Sequence, residues 1–392
     1  MQFELLNRRN LIVSGLGAGL AGCINAPSLV ADQNDQIGDA WDFEGLGPLN
    51  LDPTNLSKIT VCLRPFRPSG PRLEVERIES RTLVHNYGHG GSGWSLAWGY
   101  AQGVNDALGR DRIAHVSVLG AGAIGLTSAI ALAETGMRVT IYAREFPMES
   151  ASSKATGVWS PSSRIGMNGA AAPDFTARWE ALARRSYARH LKYLGRPGDP
   201  VEFTPHFYIR PKSPEPPLAT QPEGADNFLH LARSLGSLAP PWSDRDVHPF
   251  PINGPVRGGM VMTFNIAEYT RQLTQDFIAM GGRIERADIR SKDDMMQLPG
   301  DAVVNCTGFG AKSLLGDKDL IPVRGQIAWM SAQTDRLYGA YHRNVTVLSR
   351  RDGLLIQETG GTDFYGMGVD DESADPDEFR AAHAKVAHLF AL

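Results

Sequence analysis

The sequence has few cysteines, little excess charge and no long apolar run, and each shortage excludes a class of protein. Its 392 residues contain three cysteines, too few for the disulfide framework of a small secreted domain. The 39 lysines and arginines are balanced by 43 acidic residues, so we expect no nucleic-acid partner. No repeat or heptad pattern runs through the chain. The length fits one large domain or two interleaved domains.

The pattern of residues 1–31 predicts an export signal rather than a folded element. Arg8 and Arg9 precede an apolar, glycine-rich run at residues 11–22, which is shorter than the roughly 20 residues that span a bilayer. A twin arginine before such a run resembles a Tat signal, and an ordinary secretory signal is the alternative. Cys23 ends a lipobox-like Leu-Ala-Gly-Cys sequence. We therefore expect a periplasmic or otherwise exported protein of a bacterial envelope, with or without a lipid anchor at Cys23.

Three stretches match the G-x-G-x-x-G pattern, and their contexts separate them. The match at residues 17–22 lies inside the signal, and the match at 88–93 has no second βαβ strand after it. Both that match and residues 120–125 follow a predicted strand, but only 120–125 have the full order of strand (115–119), helix (126–134) and second strand (138–142). This order predicts a βαβ unit with a parallel sheet that is covered on both faces.

Each glycine of the third match has a separate task in a dinucleotide site. Gly120 permits the tight turn, Gly122 lets the backbone approach a pyrophosphate, and Gly125 allows close packing of helix and strand. The N–H groups of Ala123 and Ile124 open the helix, where negative charge binds favourably. The alternative is a tight turn without a ligand.

The acidic residue that holds the ribose of a dinucleotide is expected about 20 positions further on. Glu145 is the candidate, with Arg144 beside it. The alternative for Glu145 is a solvated surface charge.

Residues 85–98 (His-Asn-Tyr-Gly-His-Gly-Gly-Ser-Gly-Trp-Ser-Leu-Ala-Trp) resemble the flavin-covering loop of D-amino-acid oxidases. Further blocks resemble the same family, at residues 63–74, 142–146, 155–161, 304–308 and 324–327. In that family the dinucleotide motif precedes the flavin-covering loop, whereas here it follows the loop. The resemblance therefore implies a circularly permuted chain.

The resemblance implies an α/β fold (α+β mixed), with a Rossmann-like FAD-binding domain interleaved with a mixed-sheet substrate domain. The implied organisation begins with an export signal at 1–31 and a linker or surface strap at 32–58. Residues 59–112 would hold the transposed substrate strand, the flavin loop and its helix. A Rossmann core at 113–165, completed by about 300–312, and a substrate domain at 166–299 and 313–392 would follow.

The resemblance also implies FAD as the cofactor. Besides the residues named above, it assigns FAD binding to Gly90, Ser92, Gly93, Trp94, Ser95, Ala155, Thr156, Gly157, Thr307 and Gly308. The amides of Gly93, Trp94 and Ser95 open a helix whose positive end would stabilise negative charge on the reduced flavin.

The implied substrate ligands are Arg64, which would grip the carboxylate, and the carbonyl of Gly91, which would accept a hydrogen bond from the amine. The alternative for Arg64 is a structural salt bridge. The family closes its site with tyrosines, and here His342 and Thr346 fall at the corresponding positions. Tyr338 and Tyr341 lie nearby and would substitute only if the loop shifts.

Two further features have alternatives of their own. Arg343, Arg350 and Arg351 would either receive a second acidic group or form a solvated hairpin. His85 and His89 have the spacing of helical metal ligands, but a glycine-rich loop provides no helix, so we expect no metal.

The implied activity is oxidative deamination of a D-amino acid to a 2-oxo acid, ammonia and hydrogen peroxide, with O2 as electron acceptor. The alternatives are oxidation of glycine or another amine, and a non-catalytic FAD-binding envelope protein. The sequence does not indicate the oligomeric state.

Overall fold

A computed structural model describes residues 43, 45–79, 81–109, 113–213, 215–236, 238 and 241–391. The predicted export signal, the twin arginine and the lipid-anchor candidate Cys23 lie outside these residues. Across the described part of the chain, every helix is too short or too polar to cross a bilayer.

The described residues form two mixed sheets and seven helices. The helices are α1 (Gly93–Leu108), α2 (Ala123–Ala133), α3 (Phe175–His190), α4 (Ile266–Ala279), α5 (Lys292–Gln297), α6 (Ala311–Leu315) and α7 (Pro376–Val386). The predicted mixed α/β fold class is confirmed.

The first sheet contains the predicted βαβ unit. Its strands are β2 (Arg72–Ile78), β3 (Arg81–Tyr87), β4 (His115–Leu119), β5 (Arg138–Ala143), β9 (Arg283–Arg286) and β10 (Ala302–Asn305), in the order β2-β3-β10-β4-β5-β9. All neighbours are parallel except β2 and β3. Helix α2 packs on β4 and β5, and the apolar residues of α5 and α6 pack on the opposite face. Both faces are thus covered, as a parallel sheet requires.

The second sheet has eight strands and forms a wall opposite the glycine turns of the first. Its strands are β1 (Leu56–Phe66), β6 (Val201–Tyr208), β7 (Ser243–Arg245), β8 (Val256–Phe264), β11 (Ile321–Met330), β12 (Gly339–His342), β13 (Val345–Arg350) and β14 (Gly353–Glu358), in the order β1-β11-β14-β13-β12-β6-β8-β7. Every neighbouring pair is antiparallel except β12 and β6. Strand β1 pairs with β11 from Leu56 to Phe66, so a segment from early in the chain completes this sheet.

Several predicted bounds need correction. Helix α2 begins at Ala123 rather than at residue 126. Strand β1 begins at Leu56, inside the predicted linker. The described residues just before β1 pack as a strap, with Leu49 and Leu51 buried.

Candidate active site

A cavity of about 1210 Å³ lies between the two sheets. It exceeds the roughly 300–1000 Å³ of most small-molecule pockets, which leaves room for a large cofactor and a small substrate. The predicted cofactor residues that line it are Gly90, Gly93, Trp94, Ser95, Gly120, Gly122, Ile124, Arg144, Glu145, Ala155, Thr156, Gly157, Thr307 and Gly308.

Three glycine turns meet at one edge of the first sheet. Strands β3, β10 and β4 are parallel neighbours, so their carboxyl ends lie side by side. The turns at 88–93, 307–308 and 120–125 follow these ends directly. Gly120 has a φ of +104°, and a Cβ there would lie 2.5 Å from Cys306 O. The flavin loop and the dinucleotide turn therefore share one cavity although the chain supplies them in reversed order.

The start of α2 can receive a phosphate group. Gly122 and Ile124 line the cavity, and a Cβ on Gly122 would approach Ser152 Oγ to 2.9 Å. The N–H of Ala123 donates to Ser152 Oγ at 3.0 Å, which leaves the hydroxyl hydrogen for a phosphate oxygen. The Ala123 side chain itself does not line the cavity. Trp94 Nε1 donates to Ser152 O at 2.9 Å and ties the flavin loop to the same segment. Ser152 follows Ala123 by 29 residues, so no local sequence pattern predicts its place at this turn.

The ribose candidate lies at the outer end of the cavity. Glu145 and Arg144 both line it and form an ion pair at 3.6 Å. Their side chains are 48% and 76% exposed, so either can turn towards a ligand at little cost.

The flavin loop is held between the substrate strand and residue 163. The N–H of Gly90 donates to Pro65 O at 2.7 Å, and the N–H of Gly91 donates to Ser163 O at 3.0 Å. Gly91 consequently lies at the cavity wall on the side of Arg64.

Besides Ala123, two predicted cofactor residues lie behind the cavity wall. The Ser92 side chain is buried, and its hydroxyl contacts Ser160 O at 3.1 Å and Ser163 O at 2.9 Å. Its side chain supports the loop instead of lining the cavity, which corrects that prediction. A Cβ on Gly125 would overlap Gly120 O, so Gly125 serves the packing of helix against turn, as its place in the motif predicts.

A buried hydrogen-bond chain holds the first turn of α1. His190 Nε2 donates to Trp94 O at 3.1 Å, and His190 Nδ1 accepts from Tyr269 OH at 2.8 Å. Trp98 Nε1 in turn donates to the Tyr269 oxygen at 2.8 Å. Burial lowers the pKa of His190 to about 3, so the ring is neutral and has one tautomer that satisfies both contacts. No local sequence pattern predicts this series of hydrogen bonds, because its residues are far apart in sequence.

The segment at 155–157 is fixed to the second sheet. Thr156 Oγ1 donates to Gln357 Oε1 at 2.7 Å. Arg350 Nη1 donates to Ala155 O at 3.0 Å and to Thr156 O at 2.8 Å, while its Nε pairs with Asp352 at 2.8 Å. Arg350 is buried and does not line the cavity, so it is neither a substrate ligand nor part of a solvated hairpin.

The other two arginines of that hairpin are also engaged elsewhere. Arg343 Nε donates to Glu215 Oε1 at 2.8 Å, and Arg351 lies 3.1 Å from both Asp199 and Glu202. Neither lines the cavity.

Arg64 presents its charge to the cavity. Its guanidinium lies over Gly325, where any Cβ would overlap Nη1 and Nη2. Arg64 Nη1 donates a long hydrogen bond to Arg324 O, at 3.4 Å. Within the described ranges, no carboxylate lies within 4.0 Å of Arg64, which contradicts the alternative of a structural salt bridge.

The wall opposite Arg64 differs from the prediction at one position. Tyr341 and Thr346 line the cavity, but the buried His342 turns away, with Nδ1 at 2.9 Å from Ile209 O. Tyr338 is fully buried elsewhere. Tyr365, which lies outside the strand used for the prediction, lines the cavity instead.

The two loop histidines have different partners. His85 Nε2 lies 3.2 Å from Glu76, whereas His89 packs edge-on against Tyr100 at 4.4 Å between ring centres. Over the ranges that the structure covers, no cluster of three or more metal-ligating side chains occurs.

Comparison with known proteins identifies the family. The sequence model for DAO, described as FAD dependent oxidoreductase, matches residues 115–391. A D-amino-acid oxidase of Dictyostelium discoideum is 29% identical over 227 residues, 57% of this chain and 58% of that protein. A D-amino-acid oxidase of Streptomyces coelicolor is 30% identical over 220 residues, 56% of this chain and 60% of that protein. These alignments span less than two thirds of the relatives' length.

Among solved structures, a glycine oxidase from Geobacillus kaustophilus is 16% identical, with a TM-score of 0.46 over 70% of this chain and 77% of that one. Because the family match covers more than half of the sequence, the chain belongs to the DAO family of FAD-dependent oxidoreductases.

Proposed function

We propose that the protein oxidises a D-amino acid to an imine, which water hydrolyses to a 2-oxo acid and ammonia, with O2 reduced to hydrogen peroxide. The observation that carries this proposal is the position of Arg64, an arginine without a carboxylate partner among the described residues, in a cavity lined by both glycine turns. A guanidinium so placed binds a carboxylate through two parallel hydrogen bonds.

The residues around the cavity fit FAD. Gly122, the N–H of Ile124 and the hydroxyl of Ser152 would hold the pyrophosphate, and Glu145 would bind the ribose. The first turn of α1, fixed by His190, would lie at the flavin ring beside residues 155–157. When bound, FAD supplies the acceptor for the hydride from the substrate Cα.

The chain's own residues would orient the substrate. Arg64 would fix the carboxylate, and the carbonyl of Gly91 would accept a hydrogen bond from the amine. Because the carboxylate and the amine of the substrate are both held, its Cα hydrogen points in one fixed direction. No side-chain base is needed if the substrate enters with a neutral amine. Tyr341 and Thr346 would form the wall around the side chain.

Oxygen consumption with a substrate panel tests the proposal. We expect the purified protein to consume O2 and release peroxide with at least one D-amino acid, and not with its L-enantiomer. Turnover with glycine or sarcosine alone would favour another amine oxidase. Bound FAD without turnover on any amine would favour the non-catalytic alternative.

We further propose that the chain is circularly permuted relative to the D-amino-acid oxidases that it resembles. Helix α7, near the end of the chain, contacts the segment that precedes β1, where His383 Nε2 lies 2.6 Å from Leu51 O. The two ends of the described chain are therefore close enough to be joined in a protein of the other order. Only six residues of sequence, 109–114, separate the end of α1 from the start of β4, which supports the same proposal.

We also propose export through the Tat pathway. Replacing Arg8 and Arg9 together with lysine should leave the protein in the cytoplasm of a bacterial host. Cys23→Ala should release it from membranes if a lipid anchor is present. Export of the double lysine variant at the normal rate would contradict the Tat assignment.

A further inference from the structure

A second guanidinium lies in the same cavity as Arg64. Arg164 lines the cavity, and its side chain is only 11% exposed. Its backbone has a φ of +49°, a left-handed conformation that is costly for a residue with a side chain. A Cβ on Gly90 would overlap Arg164 O, and the neighbouring Ser163 O accepts from Gly91 N at 3.0 Å. The flavin loop thus holds Arg164 in place.

Two backbone carbonyls and one distant carboxylate neutralise the charge of Arg164 only partly. Its Nε donates to Asp363 O at 2.7 Å, and its Nη2 is 3.5 Å from Thr362 O. The carboxylate of Asp363 is 3.7 Å from Nη1, too far for a hydrogen bond, and it is 30% exposed. Of the five N–H donors of a guanidinium, at least two remain for a ligand.

The two arginines interact unfavourably. Burial, together with the positive charge of Arg64, lowers the pKa of Arg164 to about 10. Two partly buried like charges facing one cavity are stabilised by an anion that binds between them. Glu358, another charged residue of the cavity wall, does not fill this role because it pairs with Lys385 at 2.6 Å.

We propose that Arg164 binds a side-chain carboxylate, so that the preferred substrate is an acidic D-amino acid. Arg64 would hold the α-carboxylate and Arg164 the second one. This inference rests on the proposed D-amino-acid oxidation. The sequence suggested Arg343, Arg350 and Arg351 as the site for a second acidic group. In the structure each of the three is paired with a carboxylate outside the cavity, so Arg164 takes their place.

The test compares each acidic substrate with its neutral amide of nearly the same shape. For the holoenzyme, kcat/KM should be at least roughly tenfold higher for D-aspartate and D-glutamate than for D-asparagine and D-glutamine. In Arg164→Gln this preference should disappear through a loss of roughly tenfold to a hundredfold for the acids, with rates for the amides changed little. The glutamine amide can still donate to Asp363 O, which preserves the loop.

Asp363→Asn is the matched control, since it removes the competing carboxylate and leaves both guanidinium groups. It should retain or increase the preference for acids. Binding of malonate, a dicarboxylate that is not oxidised, gives a second measurement through the flavin absorption spectrum. Arg164→Gln should weaken malonate binding and leave acetate binding unchanged.

Each outcome of the test is decisive. Equal losses for D-aspartate and D-asparagine in Arg164→Gln would show that Arg164 only supports residues 362–363, and the inference would fail. Oxidation of neutral D-amino acids alone would overturn the inference and leave the proposed function standing. Failure of every D-amino acid to reduce the flavin would end both.

Discussion

At the scale of single residues, the position of Arg64 depends on a glycine of the neighbouring strand. Gly325 pairs with Cys62, two residues before Arg64 on the same face of β1, and leaves room for the guanidinium. Arg64→Ala should raise KM for carboxylate substrates roughly a hundredfold, because two charge-assisted hydrogen bonds are lost, while FAD stays bound. Steady-state kinetics and flavin content measure both effects.

Gly325→Ala should raise KM in the same direction without changing any charge, since its methyl group would displace the guanidinium. Arg257→Ala removes an exposed arginine from β8 of the same sheet and serves as the control. An unchanged KM in Arg64→Ala would exclude this residue as the carboxylate ligand.

Buried neutral histidines predict how stability depends on pH. Burial lowers the pKa of His190 to about 3 and that of His206 to about 4, against 6.5 when exposed. Below pH 6.5 the unfolded chain binds protons that the folded chain does not, so the free energy of unfolding falls as pH decreases. Each such histidine contributes a slope of about 1.4 kcal/mol per pH unit between roughly pH 6 and 4.

Urea unfolding at several pH values checks this slope. His190→Gln should lower stability at pH 7 but reduce the slope by about one histidine's share. The same replacement at exposed His230 is the control. An undiminished slope in His190→Gln would refute the account of this residue.

The individual site residues differed in how well sequence could predict them. Gly120, Gly122 and Arg64 were predictable because motif position or family resemblance determines them. Arg164 and Ser152 were not, because their contacts join segments far apart in sequence. The direction of His342 depends on the packing of its strand against Ile209, which no local pattern reports.

At the scale of elements, the start of α2 should determine the affinity for FAD. Gly122→Ala would place a methyl group 2.9 Å from Ser152 Oγ, at the point where a pyrophosphate approaches the backbone. We expect FAD to bind at least roughly tenfold more weakly, with the fold retained. Fluorescence titration of the apoprotein with FAD measures this change.

Gly236→Ala is the control for this replacement, because its Cβ would meet only ordinary contacts away from the cavity. Equal FAD affinity of the wild type and Gly122→Ala would mean that the pyrophosphate does not lie at this helix.

The elements themselves were partly predictable. The strands and helices of the βαβ unit follow from short apolar runs and glycine positions, within three residues. Helix α3 was missed although Phe175, Trp179, Ala183 and Tyr187 lie along one buried face. Its exposed face is rich in arginine, and the proline-rich residues around it obscured the period.

At the scale of the whole molecule, the two sheets are each built from distant parts of the chain. Strand β3 pairs with β10, and β1 pairs with β11, so residues before β4 complete both sheets. Family resemblance, and not local pattern, made this arrangement predictable. The register between strands more than 200 residues apart follows only from the packed structure.

Reordering the chain tests the proposed permutation. A gene that begins at residue 113, joins residue 391 to residue 45 by a short flexible linker and ends at residue 109 should yield a folded protein. It should bind FAD and oxidise the same substrates, because both new ends and the new joint lie on the surface. Parallel flavin content, melting temperature and kcat/KM make the comparison. A soluble reordered chain that lacks flavin would contradict the proposal.

The central claim is that Arg64 and the two glycine turns bring an amino acid to one bound flavin. Anaerobic mixing of the purified holoenzyme with single amino acids, followed at the oxidised flavin absorption band, tests it most directly. The account predicts full bleaching by a D-amino acid, no bleaching by its L-enantiomer, and a concentration dependence shifted far upward in Arg64→Ala. Bleaching by the L-enantiomer alone, or by no amino acid at all, would contradict it.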